Sequence, residues 1–187
     1  MDKFNLRQSI FISQAVLYGS FLLCVLIAPA SLAANNGLSY FGVHPLTAIP
    51  FGAGLIISAY LIFSALGRWQ ANLHKPVRRA LQVVALLMIG VVLTPYSISS
   101  WFDYLHTAIG TCLFVIQLIV AFWIIKKGGW HWRDVLLLAI QVAGGVIALI
   151  YLKLDQGFLL QGQVIFQLAF SGILLNNLEV LKTERPS

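Results

Sequence analysis

The chain has 187 residues, of which 59% are hydrophobic and only 10% are charged. Because a soluble domain carries roughly 25% charged residues, this composition excludes an ordinary soluble protein and indicates a polytopic membrane protein that contacts membrane lipid. The formal net charge of +6 does not indicate nucleic acid, since the basic residues lie between apolar runs and form no single basic stretch. We therefore expect no nucleic-acid partner.

Six apolar runs fill the chain and predict its fold. A membrane crossing needs about 20 predominantly apolar residues, and the runs lie at about 10–33, 46–66, 77–94, 106–125, 135–152 and 158–181. The sequence predicts an all-α protein, a single transmembrane domain over residues 1–187 built as a six-helix bundle. The first run follows Lys3 and Arg7 as in a signal peptide, but it exceeds the roughly 7 to 15 residues of a signal-peptide apolar region, so we expect it to be retained.

The basic residues alternate between the two ends of the predicted helices. All but one of the 12 Lys and Arg residues lie near the N-terminus, in the second and fourth loops or near the C-terminus, and Lys153 is the exception. Short cytoplasmic loops carry the excess of Lys and Arg. We therefore predict a multi-pass protein of the cell (plasma) membrane with both termini in the cytoplasm.

Small residues four positions apart mark two predicted helix faces. Gly54 and Ser58 lie in the second span, and Gly144 and Ala148 lie in the fifth. In lipid, such faces let two helix backbones approach closely. They predict close crossings within one chain, and the alternative is that either pair forms the face of a homodimer.

Glutamines interrupt the last three apolar runs. Gln117 lies in span four, Gln141 in span five, and Gln163 and Gln167 lie one turn apart in span six. An amide is costly in hydrocarbon unless it is hydrogen-bonded, so we expect all four to face the bundle interior. They either bond across helices or line a polar cavity for a lipid headgroup or a small solute. The residues predicted to contact a ligand are Gln117, Gln163, Gln167, Ser39 and Trp101.

Three ionisable residues fall at the predicted outer ends of spans two and four, and they are the candidate catalytic residues: His44, Asp103 and His106. Asp103 and His106 are three apart, so they share a face if they are helical. One interpretation is a zinc site in which the three supply ligands and a fourth position stays open, with His44 and His106 as the main metal-ligand candidates. A second is an acid–base pair in which the carboxylate orients the imidazole. The third is a set of helix-end residues without chemistry, since an acidic residue at a helix N-terminus is favourable by itself.

Two stretches resemble a known family: residues 38–58, with Ser39, Gly42, Pro45, Gly54 and Ser58, and residues 95–110, with Pro95 and His106. They are similar to the Ser-x-x-Gly loop, the glycine-bearing second helix and the next marked stretch of the six-helix membrane proteins of the domain of unknown function 998 family. Gly52 departs from that pattern, which has Asn after Phe. The resemblance implies the fold, distantly similar in layout to proteins of the damage-regulated autophagy modulator type, and it implies no settled activity.

Two classes of function follow from the sequence. The chain has no HExxH, GxSxG or CxxC motif and no glycine-rich phosphate loop, which favours a non-enzymatic bundle that binds a lipid or a membrane partner and needs no cofactor. The alternative is a membrane-embedded enzyme with a metal or acid–base site at its outer face, or a b-type haem carrier ligated by His44 and His106. A small-solute transporter is a further alternative, which the lack of a strong repeat between the two halves disfavours.

Overall fold

The structure, a computed structural model, describes residues 6–32, 36–69, 73–154 and 158–178. These residues form helices and no strand, which confirms the predicted all-α class. The helices are α1 (Leu6–Ile27), α2 (Tyr40–Val43), α3 (Ala48–Arg68), α4 (Lys75–Leu93), α5 (Ser100–Gly128), α6 (Trp132–Leu154) and α7 (Leu159–Asn176). All of them except the short α2 are long and apolar enough to cross a membrane, so the described chain contains the six predicted spans.

The two largest differences between predicted and observed helix ends are about six residues each, and both have a local cause. The first apolar run was predicted to stay helical to residue 33, but α1 ends at Ile27 and a 3₁₀ turn, Pro29–Leu32, follows. Proline lacks the N–H that would continue the helix, and its ring clashes with the preceding turn. The fourth span was predicted to start at residue 106, but α5 starts at Ser100 because the Ser99 side chain accepts a hydrogen bond from the Phe102 N–H, at 3.3 Å.

Helices α1 and α3 cross closely through small residues. Gly54 faces Ser20, and a Cβ atom on Gly54 would overlap the Ser20 side chain. One turn further on, the Ser13 and Ser58 hydroxyls lie 2.7 Å apart, and both residues are fully buried. A hydroxyl pair in an apolar interior satisfies two groups that would each be costly alone. The Gly54 and Ser58 face is therefore an α1–α3 contact within the chain.

Helices α6 and α7 form the second close crossing. A Cβ on Gly144 would lie 2.6 Å from the Phe166 backbone nitrogen and 2.7 Å from the Gly162 carbonyl oxygen, and a Cβ on Gly162 would lie 2.9 Å from the Ala148 nitrogen. Only glycine permits backbones to meet this closely. A homodimer through either small-residue face stays a prediction, and it would require these helix pairs to separate.

The helices are not packed evenly around the bundle. The continuous buried core joins α1, α3, α4, the second half of α5 and α7. Helix α6 packs mainly on α7 and meets α5 more sparsely. This uneven packing leaves space between the first half of α5, α6 and α7, at the end of the bundle where α2 lies.

Candidate functional site

A cavity of about 600 Å³ occupies this space, and all six long helices contribute to its wall. Its inner part is lined mostly by apolar side chains, among them Phe21, Leu55, Met88, Phe114 and Phe166, and Gln167 is a polar residue of this part. Its end near α2 carries polar groups, namely Ser39, Tyr40, Tyr96, Asp103, His106 and Gln163. The volume lies within the roughly 300 to 1,000 Å³ that is typical of small-molecule sites. The cavity thus has an apolar body and one polar end.

His106 is the centre of the polar end. It lies in the second turn of α5, and its Nδ1 is 2.7 Å from the backbone carbonyl oxygen of Thr94, the C-cap residue of α4. Its Nε2 is 2.7 Å from the Ser39 hydroxyl oxygen, just before α2. Both ring nitrogens are therefore held, and they join three parts of the chain that are distant in sequence.

The Thr94 carbonyl fixes which nitrogen of His106 carries the proton. A carbonyl oxygen only accepts, so Nδ1 must donate. The Thr94 hydroxyl gives its own hydrogen to the Gly90 carbonyl at 2.8 Å and lies 3.5 Å from Nδ1, so it can also only accept there. In the neutral imidazole Nε2 is then an unprotonated acceptor. The Ser39 hydroxyl consequently donates its hydrogen to Nε2.

Aromatic and acidic groups surround the imidazole. The Tyr96 ring meets the His106 ring edge to face, with centroids 5.7 Å apart. Burial raises the pKa of Tyr96, and Tyr40, Asp103 and Tyr151 act in the same direction. The phenol is therefore held in its neutral, hydrogen-bonding form. Asp103 lies one turn before His106 on α5 and is exposed to the cavity.

Gln163 ties the segment that carries Ser39 to α7. Its amide oxygen accepts a hydrogen bond of 2.7 Å from the Leu38 backbone N–H. Gly37 permits this approach, because a Cβ there would lie 2.9 Å from the same amide oxygen and from Leu159. Since the oxygen of the amide faces Leu38, its NH₂ group faces away from that bond and is available as a donor on the cavity wall.

The other candidate residues lie apart from this hydrogen-bonded group. The His44 ring packs on Tyr40 at 5.3 Å between centroids, its Nδ1 is buried, and no described residue bonds to that atom. The described residues contain no group of three His, Cys, Asp or Glu side chains that could hold a metal ion. A haem ligated by His106 would have to displace Thr94 or Ser39 from its ring. Trp101 is 67% exposed and stacks on Tyr104 outside the cavity.

The glutamines divide into two pairs. Gln163 and Gln167 line the cavity. Gln117 and Gln141 are fully buried, and neither amide has a hydrogen-bond partner among the described residues. Bonding across helices is instead supplied by Gln14 in α1, whose amide oxygen accepts from the Ser171 hydroxyl of α7 at 2.6 Å.

Sequence reasoning named Ser39 and His106 but did not pair them. They are 67 positions apart, and no local pattern in the sequence indicates that a residue before the second span will bond to a residue of the fourth. Thr94 and Tyr96 were missed as partners of His106. The available signal was that Thr94, Tyr96 and Asp103 all lie within 12 residues before His106, in the connection between two predicted spans.

The fold and site define a class: a multi-pass membrane protein, an α-helical bundle whose described helices enclose a cavity of about 600 Å³. No protein-family model matches the chain, and no curated protein or solved structure matches it either. The resemblance to the domain of unknown function 998 family therefore stays a prediction, and the function has to be argued from the cavity itself.

Proposed function

We propose that this integral membrane protein binds one amphipathic membrane lipid in the cavity. The single observation that carries the proposal is the cavity's division into an apolar body and a polar end. A lipid would lay its acyl chain along Leu55, Phe114 and Phe166 and direct its headgroup linkage toward Ser39 and His106. A volume of about 600 Å³ suits one chain with its linkage and excludes a large soluble partner.

Access from the bilayer supports a lipid over a soluble solute. Two residues that line the cavity on neighbouring helices have exposed side chains, Val115 of α5 at 50% and Leu149 of α6 at 63%. Sparse contact between α5 and α6 leaves this side open at the depth of the apolar body. A molecule that enters there comes from hydrocarbon, where the occupants are lipid chains.

We also propose that the polar end of the cavity faces the outside of the cell membrane and that both termini are cytoplasmic. All the described basic side chains belong to the opposite end, in the first turn of α1, the α3–α4 and α5–α6 connections and the helix turns beside them. The positive-inside rule assigns that end to the cytoplasm. A reporter fused after Ser187 should read as cytoplasmic, and an external reading would reverse the orientation.

Native mass spectrometry of the purified protein tests lipid binding, using added phosphatidylcholine as the probe. Val115→Trp fills the cavity from α5 and should abolish the retained phospholipid mass. Ile119→Trp is the matched control, because Ile119 lies one turn further on the same helix, is 61% exposed and does not line the cavity. Equal retention by both variants, or no retention by the wild type, would contradict the proposal.

A further inference from the structure

We infer that Ser39 and His106 form a nucleophile–base pair that hydrolyses the acyl ester bond of a lipid in the cavity. The inference rests on the proposed lipid site and adds a reaction to it. Its basis is the directed chain of two hydrogen bonds, from the Ser39 hydroxyl to Nε2 at 2.7 Å and from Nδ1 to the Thr94 carbonyl at 2.7 Å. A base within hydrogen-bond reach of the nucleophile, itself oriented by a third group, is the arrangement that activates a serine.

The position of Ser39 suits attack on a lipid ester. The residue lies on the wall at the polar end of the cavity, where the linkage between an acyl chain and its headgroup would rest when the chain fills the apolar body. If the serine–histidine bond served only to stabilise the fold, the pair would not need to lie on the wall of a cavity with an apolar body. Here the pair lies where an amphipathic ester would place its carbonyl carbon.

The reaction balances with the groups present and one water molecule. The Ser39 oxygen attacks the ester carbonyl carbon while Nε2 of His106 takes the hydroxyl proton. The tetrahedral intermediate then expels the alcohol, which receives that proton, and leaves an acyl-Ser39 ester. Water, deprotonated by the same nitrogen, attacks the acyl group. The products are a fatty acid and an alcohol, and Ser39 regains its hydrogen.

The surrounding residues assist this chemistry in defined ways. The Thr94 carbonyl holds His106 in the required tautomer and stabilises the imidazolium that forms. The NH₂ group of Gln163, directed away from Leu38, is a donor for the oxygen that becomes negative in the intermediate. A neutral carbonyl stabilises imidazolium less than a carboxylate does, so the expected turnover is slow.

A covalent probe tests the pair directly. The wild-type protein in detergent is treated with dodecyl fluorophosphonate, in which serine displaces fluoride, and the modified peptide is identified by mass spectrometry. We expect a single adduct on Ser39 and none in Ser39→Ala. His106→Gln should slow labelling by roughly 10²- to 10⁴-fold, the usual contribution of a general base. Ser97→Ala is the matched control, since Ser97 is an exposed serine in the connection between α4 and α5 that does not line the cavity.

The two proposals fail in different ways. If the wild type forms no adduct, or forms it on another residue, the esterase inference is wrong whatever the variants do. If phosphatidylcholine is retained in that case, the lipid-binding proposal still stands. If Ser39 is labelled but phosphatidylcholine is not retained, the nucleophile is supported and the lipid site is contradicted. Hydrolysis of para-nitrophenyl dodecanoate, lost in Ser39→Ala and kept in Ser97→Ala, completes the test.

Discussion

Replacing Gly144 with alanine should separate α6 from α7 and weaken the wall of the cavity. The added Cβ would lie 2.6 Å from a backbone nitrogen and 2.7 Å from a backbone oxygen of α7. Ordinary contact begins at 3.4 Å, so the backbones must move apart by about 0.8 Å, the difference between 3.4 and 2.6 Å. Neither atom belongs to a flexible side chain, and overpacking of this kind costs roughly 1 to 3 kcal/mol.

Gly145→Ala is the matched control for that measurement. It makes the same change one residue later, where a Cβ would meet the Phe166 ring at an ordinary 3.4 Å. Both variants gain the same helix propensity, about 1 kcal/mol for Gly to Ala, so the difference between them isolates the crossing. Unfolding by SDS titration in mixed micelles should show Gly144→Ala less stable by about 1 to 3 kcal/mol. Equal stability would refute this description of the α6–α7 contact.

Two further substitutions test neighbouring contacts in the same unfolding assay. Gly37→Ala should lower the free energy of unfolding by about 1 kcal/mol, because the added Cβ displaces the Gln163 amide. Gly110→Ala is the control and should cause no loss, because Gly110 has open space around it. Equal losses in the two variants would contradict the contact between Gly37 and Gln163. Ser13→Ala should lower the free energy of unfolding by about 0.6 to 1.7 kcal/mol, the range for a hydrogen bond between membrane helices. A negligible loss would mean that the Ser58 hydroxyl finds another partner.

The helices were predictable because their signals are local. About 20 apolar residues between basic loops specify a crossing without knowledge of its neighbours. Pro29 and Ser99 shifted two boundaries, since the end of a helix depends on one residue's backbone N–H or side chain rather than on average hydropathy. The small-residue faces at Gly54 and Gly144 were also correctly predicted as close crossings, although the sequence alone did not name α1 and α7 as their partners.

The candidate site was only partly predictable because it is assembled from distant segments. Ser39 and His106 meet only when the fold brings α5 and the loop before α2 together. The hydrogen bond from the Leu38 N–H to the Gln163 amide oxygen holds that loop against α7. Asp103 and His106 were predicted to share a helix face, and both lie in α5 and line the cavity. His44 was grouped with Asp103 and His106 because the three residues lie at a similar depth in the membrane. Depth alone does not determine the direction in which a side chain points within the bundle.

Photo-crosslinking in phosphatidylcholine nanodiscs tests the central claim, lipid occupancy of the cavity, most directly. A phosphatidylcholine that carries a diazirine in its acyl chain would be activated and its adducts mapped by mass spectrometry. A lipid in the cavity should give adducts on Phe114 and Leu113, which line it, and these adducts should be lost in Val115→Trp. Adducts confined to outward residues such as Phe122 and Leu168, with none inside the cavity, would contradict it.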